Sequence, residues 1–229
     1  MSIRTRSLIF STFFGSCIAI GLLLGSLTTD SWVRATPKRG NSSYTSQEST
    51  GEVNFGLFYG SKVLNSGIGE RITPVEVYTF IQTEPDSMNF WLWLFTALGA
   101  GFGLLGCAIS AIAAVIKSAS AAKGPINLVI LIASNISSAV TQVVAFICWL
   151  VQFIQYLQHN VLTVADQKHH WYSKGLASLG YSFYMVILST LVVIINIGIL
   201  LYARHCDRRD RQRLEPPSEE KNQCAIMLY

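Results

Sequence analysis

The residues of this sequence that could carry chemistry are its histidines, cysteines and a glycine series, and none of them forms a complete motif. The chain contains no GxSxG, P-loop or HExxH pattern. His169 and His170 could contact a metal ion, but adjacent histidines rarely chelate one ion without further ligands. The glycine series resembles a dinucleotide fingerprint but follows no strand: Gly99, Gly101, Gly103 and Gly106. We therefore expect no catalytic residue, cofactor or metal site, and predict that the protein is not an enzyme.

The composition indicates a membrane protein. Charged residues make up 13% of the chain and hydrophobic residues 51%, and the charged share is about half that of soluble domains. The net charge is +4 at pH 7, and a basic protein could bind nucleic acid. Here the basic residues flank long apolar segments, a pattern that is typical of membrane proteins. We expect the lipid bilayer as a partner and no nucleic acid.

Four charge-free segments are long enough to cross a bilayer, which requires roughly 20 apolar residues. They are residues 8–28, 89–116, 126–157 and 178–203, and none contains Asp, Glu, Lys or Arg. The sequence predicts an all-α membrane protein, a bundle of four transmembrane helices. The alternative for the first segment is a cleaved signal peptide. Because the apolar stretch is longer than the roughly 7–15 residues of a signal-peptide core, we expect it to stay uncleaved.

Lysine and arginine positions orient the predicted spans. The short loop 117–125 contains Lys117 and Lys123 but no acidic residue, and short positively charged loops stay in the cytoplasm. Both termini are then cytoplasmic. The predicted cytoplasmic segments are 1–7, 117–125 and 204–229, and the predicted extracellular loops are 29–88 and 158–177.

Small and polar residues recur on single faces of the predicted spans. In lipid, helices associate through close backbone approach and polar contacts. The candidate helix-packing residues follow helical spacing: Gly21 and Gly25; Gly99, Gly103 and Gly106; and Ser182, Ser189 and Asn196. We expect these faces to point into the bundle, together with Asn135 and Gln142 of the third span. The alternative is that they line a pore, but transporters usually keep an ionisable residue within their spans.

The first outer loop has the pattern of a small extracellular antiparallel sheet. Residues 31–35, 52–60 and 62–64 read as strands, with turns at 48–51 and 65–67, and residues 75–81 form either a strand or a short helix. Residues 85–87 are expected to cap the second span. Four tryptophans near one membrane face predict an aromatic belt: Trp32, Trp91, Trp93 and Trp171. Asn41 begins the sequon Asn41-Ser42-Ser43 and is a candidate glycosylation site; the alternative is an unused sequon.

The cysteines and the tail suggest modification and partner binding on the cytoplasmic side. None of the five cysteines lies in an outer loop, so no disulfide stabilises the outer sheet. Cys206 is either a palmitoylation site or a free thiol. The charged tail is expected to be disordered as far as Pro216-Pro217. Met227 and Tyr229 fit a PDZ groove by strand addition; the alternative is an apolar end without a partner.

Several motifs in chain order resemble the clarin family of claudin- and peripheral-myelin-protein-like tetraspan proteins. The matching positions are Trp32-Val33, then Phe55, Gly56, Leu57, Phe58 and Gly60, then Gly67-Ile68-Gly69, Gly124-Pro125, Tyr181-Ser182-Phe183-Tyr184 and Leu228-Tyr229. Claudins share the tryptophan and a related glycine–leucine motif but carry two loop cysteines, which this chain lacks. The resemblance covers nearly the whole chain.

The resemblance implies a non-enzymatic organiser of partner proteins at the plasma membrane, in sensory cells or synapses. Membrane or cytoskeletal proteins are the implied partners, a PDZ protein among them, and self-association is left open. The alternatives are an auxiliary or pore-forming channel or transporter subunit, and a claudin-like adhesion protein.

Overall fold

Four long apolar helices form the body of the protein. The computed structural model describes residues 3–40, 51–65, 69–119 and 126–214. The four helices are α1 (Ile3–Thr28), α3 (Phe90–Ala119), α4 (Ile126–Gln152), which continues as a π-helical turn over Phe153–Leu157, and α6 (Tyr181–Leu214). Each is long and apolar enough to cross a membrane. A helix satisfies its backbone hydrogen bonds internally, so a charge-free apolar run adopts it wherever water is excluded.

The helices pack as a ring. Helix α1 lies against α3 and α6, and α4 lies against the same two helices. All four keep large apolar side chains exposed on the outer surface, among them Phe14, Phe102, Val140 and Ile195. An exposed apolar surface of this extent marks a face that contacts lipid or protein rather than water.

A five-stranded antiparallel sheet covers one end of the ring. Its strand order is β5-β4-β3-β1-β7, with β1 (Val33–Ala35), β3 (Gly51–Phe55), β4 (Tyr59–Asn65), β5 (Glu70–Glu76) and β7 (Ala177–Leu179). A second ladder pairs β2 (Lys38–Arg39) with β6 (Trp171–Tyr172). Two short helices complete this end, α2 (Val77–Thr83) and α5 (Val164–Lys168). Val33 and Ala35 are buried while Arg34 is exposed, which is the alternation of a one-sided sheet.

The structure confirms the four long apolar helices and the small antiparallel sheet, and it changes their bounds. Helix α1 begins at Ile3, before the predicted residue 8, and α6 continues to Leu214, beyond the predicted 203. The expectation that the tail is disordered from 204 is therefore wrong over 204–214. No Pro or Gly interrupts residues 204–214, so nothing in this stretch breaks the helix that precedes it.

The loops differ from prediction in three ways. Strands were expected only in the connection between α1 and α3. The connection between α4 and α6 also supplies two strands: β7 joins the five-stranded sheet, and β6 pairs with β2. The predicted strand 52–60 is broken by a turn after Phe55, and residues 75–81 divide between β5 and α2. The side chain of Asn89, rather than residues 85–87, caps α3 by accepting from the Trp91 and Leu92 amides. Residues 48–50, 66 and 67 of the predicted turns lie outside the described residues.

Candidate functional site: the sheet platform and its anchor

The two connections between helices fold into one body, which we call the sheet platform: strands β1–β7 with α2 and α5. Strand β1 of the first connection pairs with β7 of the second, with Val33 opposite Leu179. Lys62 and Asp166 form an ion pair between the two connections, and both side chains are 14% exposed. Beside this pair lies a cleft of about 310 Å³, lined in part by Phe55, Lys62, Phe80 and Val161.

Trp32 anchors the platform to three helices. The side chain is fully buried, and its Nε1 donates to the Ser26 carbonyl of α1 at 2.7 Å. Its ring meets Trp149 of α4 edge-on, with centroids 4.9 Å apart. The Trp32 carbonyl accepts from the Gly180 amide at 2.9 Å, directly before α6. One residue therefore fixes the position of the sheet relative to α1, α4 and α6.

The turn Gly56-Leu57-Phe58 is the second anchor. Gly56 lies against the end of α1, since a Cβ placed there would lie 2.7 Å from the Thr29 carbonyl oxygen. The fully buried Leu57 accepts from Trp93 Nε1 of α3 through its carbonyl, at 2.8 Å. The Phe58 ring meets the Trp93 ring edge-on. Gly60 of β4 also lets the backbone approach β3 closely, because a Cβ there would lie 2.5 Å from the Asn54 carbonyl oxygen.

Three of the four tryptophans that were expected to form an aromatic belt are core residues instead. Trp32, Trp93 and Trp171 are buried, and only Trp91 is exposed, at 63%. The expectation was wrong because it considered only the positions of these residues along the chain. In the folded protein the sheet covers the three rings and shields them from the surface. Phe90 and Phe95 lie beside Trp91 on α3 and are partly exposed.

The predicted glycine face of α3 is a contact with α4. A Cβ on Gly99 would lie 2.7 Å from the Thr141 carbonyl oxygen, and Cβ atoms on Gly103 and Gly106 would meet Gln142 and Ser138. Ser138 donates to the Gly103 carbonyl at 2.7 Å, and Gln142 Nε2 donates to Ser138 at 2.9 Å. The buried polar side chains of this interface therefore satisfy each other.

The predicted polar face of α6 is a contact with α1. Ser189 donates to the Ala19 carbonyl at 3.2 Å, and Asn196 donates to the Thr12 carbonyl at 3.3 Å. Gly25 also faces α6, where a Cβ would lie 2.7 Å from Met185 Cε.

Gly21 and Gly15 differ from the predicted pattern on α1. Gly21 faces outward with no atom within 4 Å of a Cβ position, so it makes no helix contact within the chain. Gly15 was not predicted, yet Asn196 occupies the space that a Cβ there would need. The asparagine on α6 was the available signal, because a bulky amide on one helix requires a small residue opposite.

Several predicted positions lie elsewhere. Cys206 is partly buried on α6, at the end of the bundle opposite the sheet, which we call the terminal end. His169 and His170 are exposed, and no group of three or more His, Cys, Asp or Glu that could hold a metal occurs among residues 3–40, 51–65, 69–119 and 126–214. Asn41, Gly67, Gly124, Met227 and Tyr229 lie outside the described residues.

No protein-family model matches the chain, and no curated protein matches it.

Proposed function

We propose that this chain is a clarin-like tetraspan protein of the plasma membrane that organises partner proteins and catalyses no reaction. The sheet platform lies outside the cell, and both termini lie in the cytoplasm. The observation that carries the proposal is the platform itself. Both connections contribute strands to it. Trp32 fixes it to α1, α4 and α6, and the turn at 56–58 fixes it to α3. Such a rigid surface suits presentation to a partner.

The exposed surface of the platform supports a binding role. Tyr59 is 71% exposed and Ile72 is 70% exposed; they lie on neighbouring strands β4 and β5. Large aromatic and aliphatic side chains on a fixed surface are the residues that anchor protein interfaces. Strand β5 is the outer strand of the sheet, and Pro74 within it limits uncontrolled strand pairing.

The bundle interior favours an organiser over a pore. Along α3 and α4 the backbones approach too closely for a Cβ at Gly99, and the polar groups of Ser138 and Gln142 bond to one another. Uncharged, mutually satisfied groups stabilise helix packing. A conducting path requires polar groups that stay available to ions or water.

The charge distribution supports the orientation. Basic residues at the terminal end include Arg4, Arg6, Lys117, Arg204 and Arg208, and the positive-inside rule places such an end in the cytoplasm. In this orientation Asn41 is available for glycosylation, and Met227 and Tyr229 for a PDZ partner. Cys206 lies where cytoplasmic acyltransferases act.

Proximity labelling from each terminus in native cells tests topology and partner class together. We expect both termini to label cytoplasmic scaffold or cytoskeletal proteins, and the Tyr59→Ser/Ile72→Ser variant to keep this set. Labelling from the extracellular side of the same cells should show that the variant loses outer-side partners. Val164→Ser/Tyr172→Ser is the matched control, since both side chains are exposed on the platform but lie outside β4 and β5. Selective conductance from the purified, reconstituted protein, or termini on opposite sides, would overturn the proposal.

A further inference from the structure

A groove of about 700 Å³ lies at the terminal end, between the first turns of α1 and the last turns of α6. Its walls include Arg4, Ser7 and Leu8 from α1, and Tyr202, Arg209 and Asp210 from α6. Its volume lies within the range of small-molecule sites, roughly 300–1,000 Å³. The sheet platform lies at the other end of the bundle, so this groove takes no part in the surface described above.

The groove has a net positive charge. Arg4 and Arg209 contribute two guanidinium groups, and Asp210 contributes one carboxylate. Within the described part of the chain, neither arginine forms an ion pair. Guanidinium groups bind phosphate through paired hydrogen bonds, and the Ser7 hydroxyl adds a further donor on the same wall.

The groove also lies where the apolar surface of the bundle ends. On α6, exposed apolar side chains run as far as Leu201 and Tyr202, and charged residues begin at Arg204. On the α1 side, Leu8 lines the wall beside Arg4. A ligand here meets the apolar Leu8 and Tyr202 toward the bundle centre. Toward the terminal end it meets the two arginines together with Asp210 and the apolar Ile3. That arrangement matches a molecule with an anionic head and an apolar tail.

We propose that this groove binds the headgroup phosphate of an anionic phospholipid. Arg4 and Arg209 hold the phosphate, Ser7 donates to it, and an acyl chain lies along Leu8 and Tyr202. The inference rests on the proposed membrane placement, with the terminal end at the cytoplasmic leaflet, where anionic lipids concentrate.

Native mass spectrometry of the full chain in non-ionic detergent tests the site. Phosphatidylserine and phosphatidylcholine with identical acyl chains are added separately, and bound lipid is counted. We expect the wild type to prefer phosphatidylserine and Arg4→Ala/Arg209→Ala to bind it roughly 30-fold more weakly. The matched control is Lys38→Ala/Arg71→Ala, which removes the same charge from exposed positions on the platform and should bind as the wild type does.

Two further variants separate the site from a folding defect. Asp210→Asn removes the opposing carboxylate and should bind phosphatidylserine about 5-fold more tightly, a gain that misfolding cannot produce. Arg4→Lys/Arg209→Lys keeps the charge and should bind more tightly than the alanine pair.

Three results would overturn the inference: equal binding of the two lipids, equal losses in the alanine pair and its control, or binding of inorganic phosphate at millimolar concentration with no binding of phosphatidylserine. If the groove does not bind the lipid but both termini still map to the cytoplasm, the proposed function is unaffected. Termini mapped outside the cell refute that function whatever the lipids do.

Discussion

Two glutamines on α4 show that a buried amide depends on its partners more than on its residue type. Gln142 donates to Ser138 at 2.9 Å and accepts from Thr190 at 3.2 Å. Gln152 is equally buried, but neither of its side-chain polar atoms has a hydrogen-bond partner among the residues that the structure describes. A buried polar group without a partner costs free energy, whereas a paired one contributes.

Methionine substitutions should therefore have opposite effects at these two positions. We expect Gln142→Met to lower the free energy of unfolding by about 1 kcal/mol, because it leaves Ser138 and Thr190 with fewer partners. Gln152→Met should leave stability unchanged or raise it, since methionine keeps the volume and removes the unpaired amide. Denaturant unfolding in detergent micelles measures both, and equal shifts would contradict the argument.

At single positions, the sequence predicted contacts best where spacing and residue type agreed. Ser189 and Asn196 recur at a step of seven, which fixes one helix face, and both contact α1. Spacing alone did not distinguish Gly21, which faces outward, from Gly25, which faces α6. Trp32 and Trp93 were misplaced because the fold of distant loop segments, and not local pattern, decides their burial.

At the scale of helices and strands, long charge-free runs were predictable, and short pairings between distant segments were not. Strand β7 has three residues, too few to show the alternation of apolar and polar side chains that predicts a strand. Its Ser178 pairs with Arg34 of β1, which lies 144 positions earlier in the chain. The extension of α6 to Leu214 was missed for a different reason. High charge suggests disorder, but helix formers without Pro or Gly continue a helix that is already nucleated.

The contact between α3 and α4 depends on the absence of a side chain at Gly99. We expect Gly99→Val to lower the free energy of unfolding by about 1–3 kcal/mol, because its Cβ would meet the Thr141 carbonyl and force the helices apart. Gly101→Val is the matched control, since Gly101 lies on the same helix with no atom within 4 Å of a Cβ position. Thermal unfolding in detergent compares them, and a control as unstable as the variant would refute the close-approach explanation.

The anchor between α3 and the turn at 56–58 predicts a local effect. Trp93→Phe removes the donor to the Leu57 carbonyl and should increase amide hydrogen exchange across β3 and β4 by roughly 5-fold, as expected for about 1 kcal/mol. Trp91→Phe on the same helix changes an exposed ring and should leave exchange unchanged. Faster exchange throughout α3 instead would mean that the helix, and not the anchor, is affected.

At the scale of the molecule, the platform acts as one body only if its two connections are held together. In the described part of the chain they are joined by the two ladders and the backbone bonds beside them, by the Lys62–Asp166 ion pair, by a few side-chain bonds and by packing in a shared apolar core. Because both charges are largely shielded from water, losing one partner leaves the other unpaired and poorly solvated. The pair therefore couples segments 104 positions apart.

A charge swap tests this coupling. Lys62→Asp and Asp166→Lys, made singly, each place like charges together and should loosen the platform, which limited proteolysis of the two connections would detect. The double variant restores the opposite charges and should recover most of the protection, although Thr163 loses its acceptor at Asp166. Additive losses in the double variant would show that the two connections behave independently. In that case the surface around Tyr59 and Ile72 could not be presented as one rigid face, and the proposed organiser would require its partner to order it.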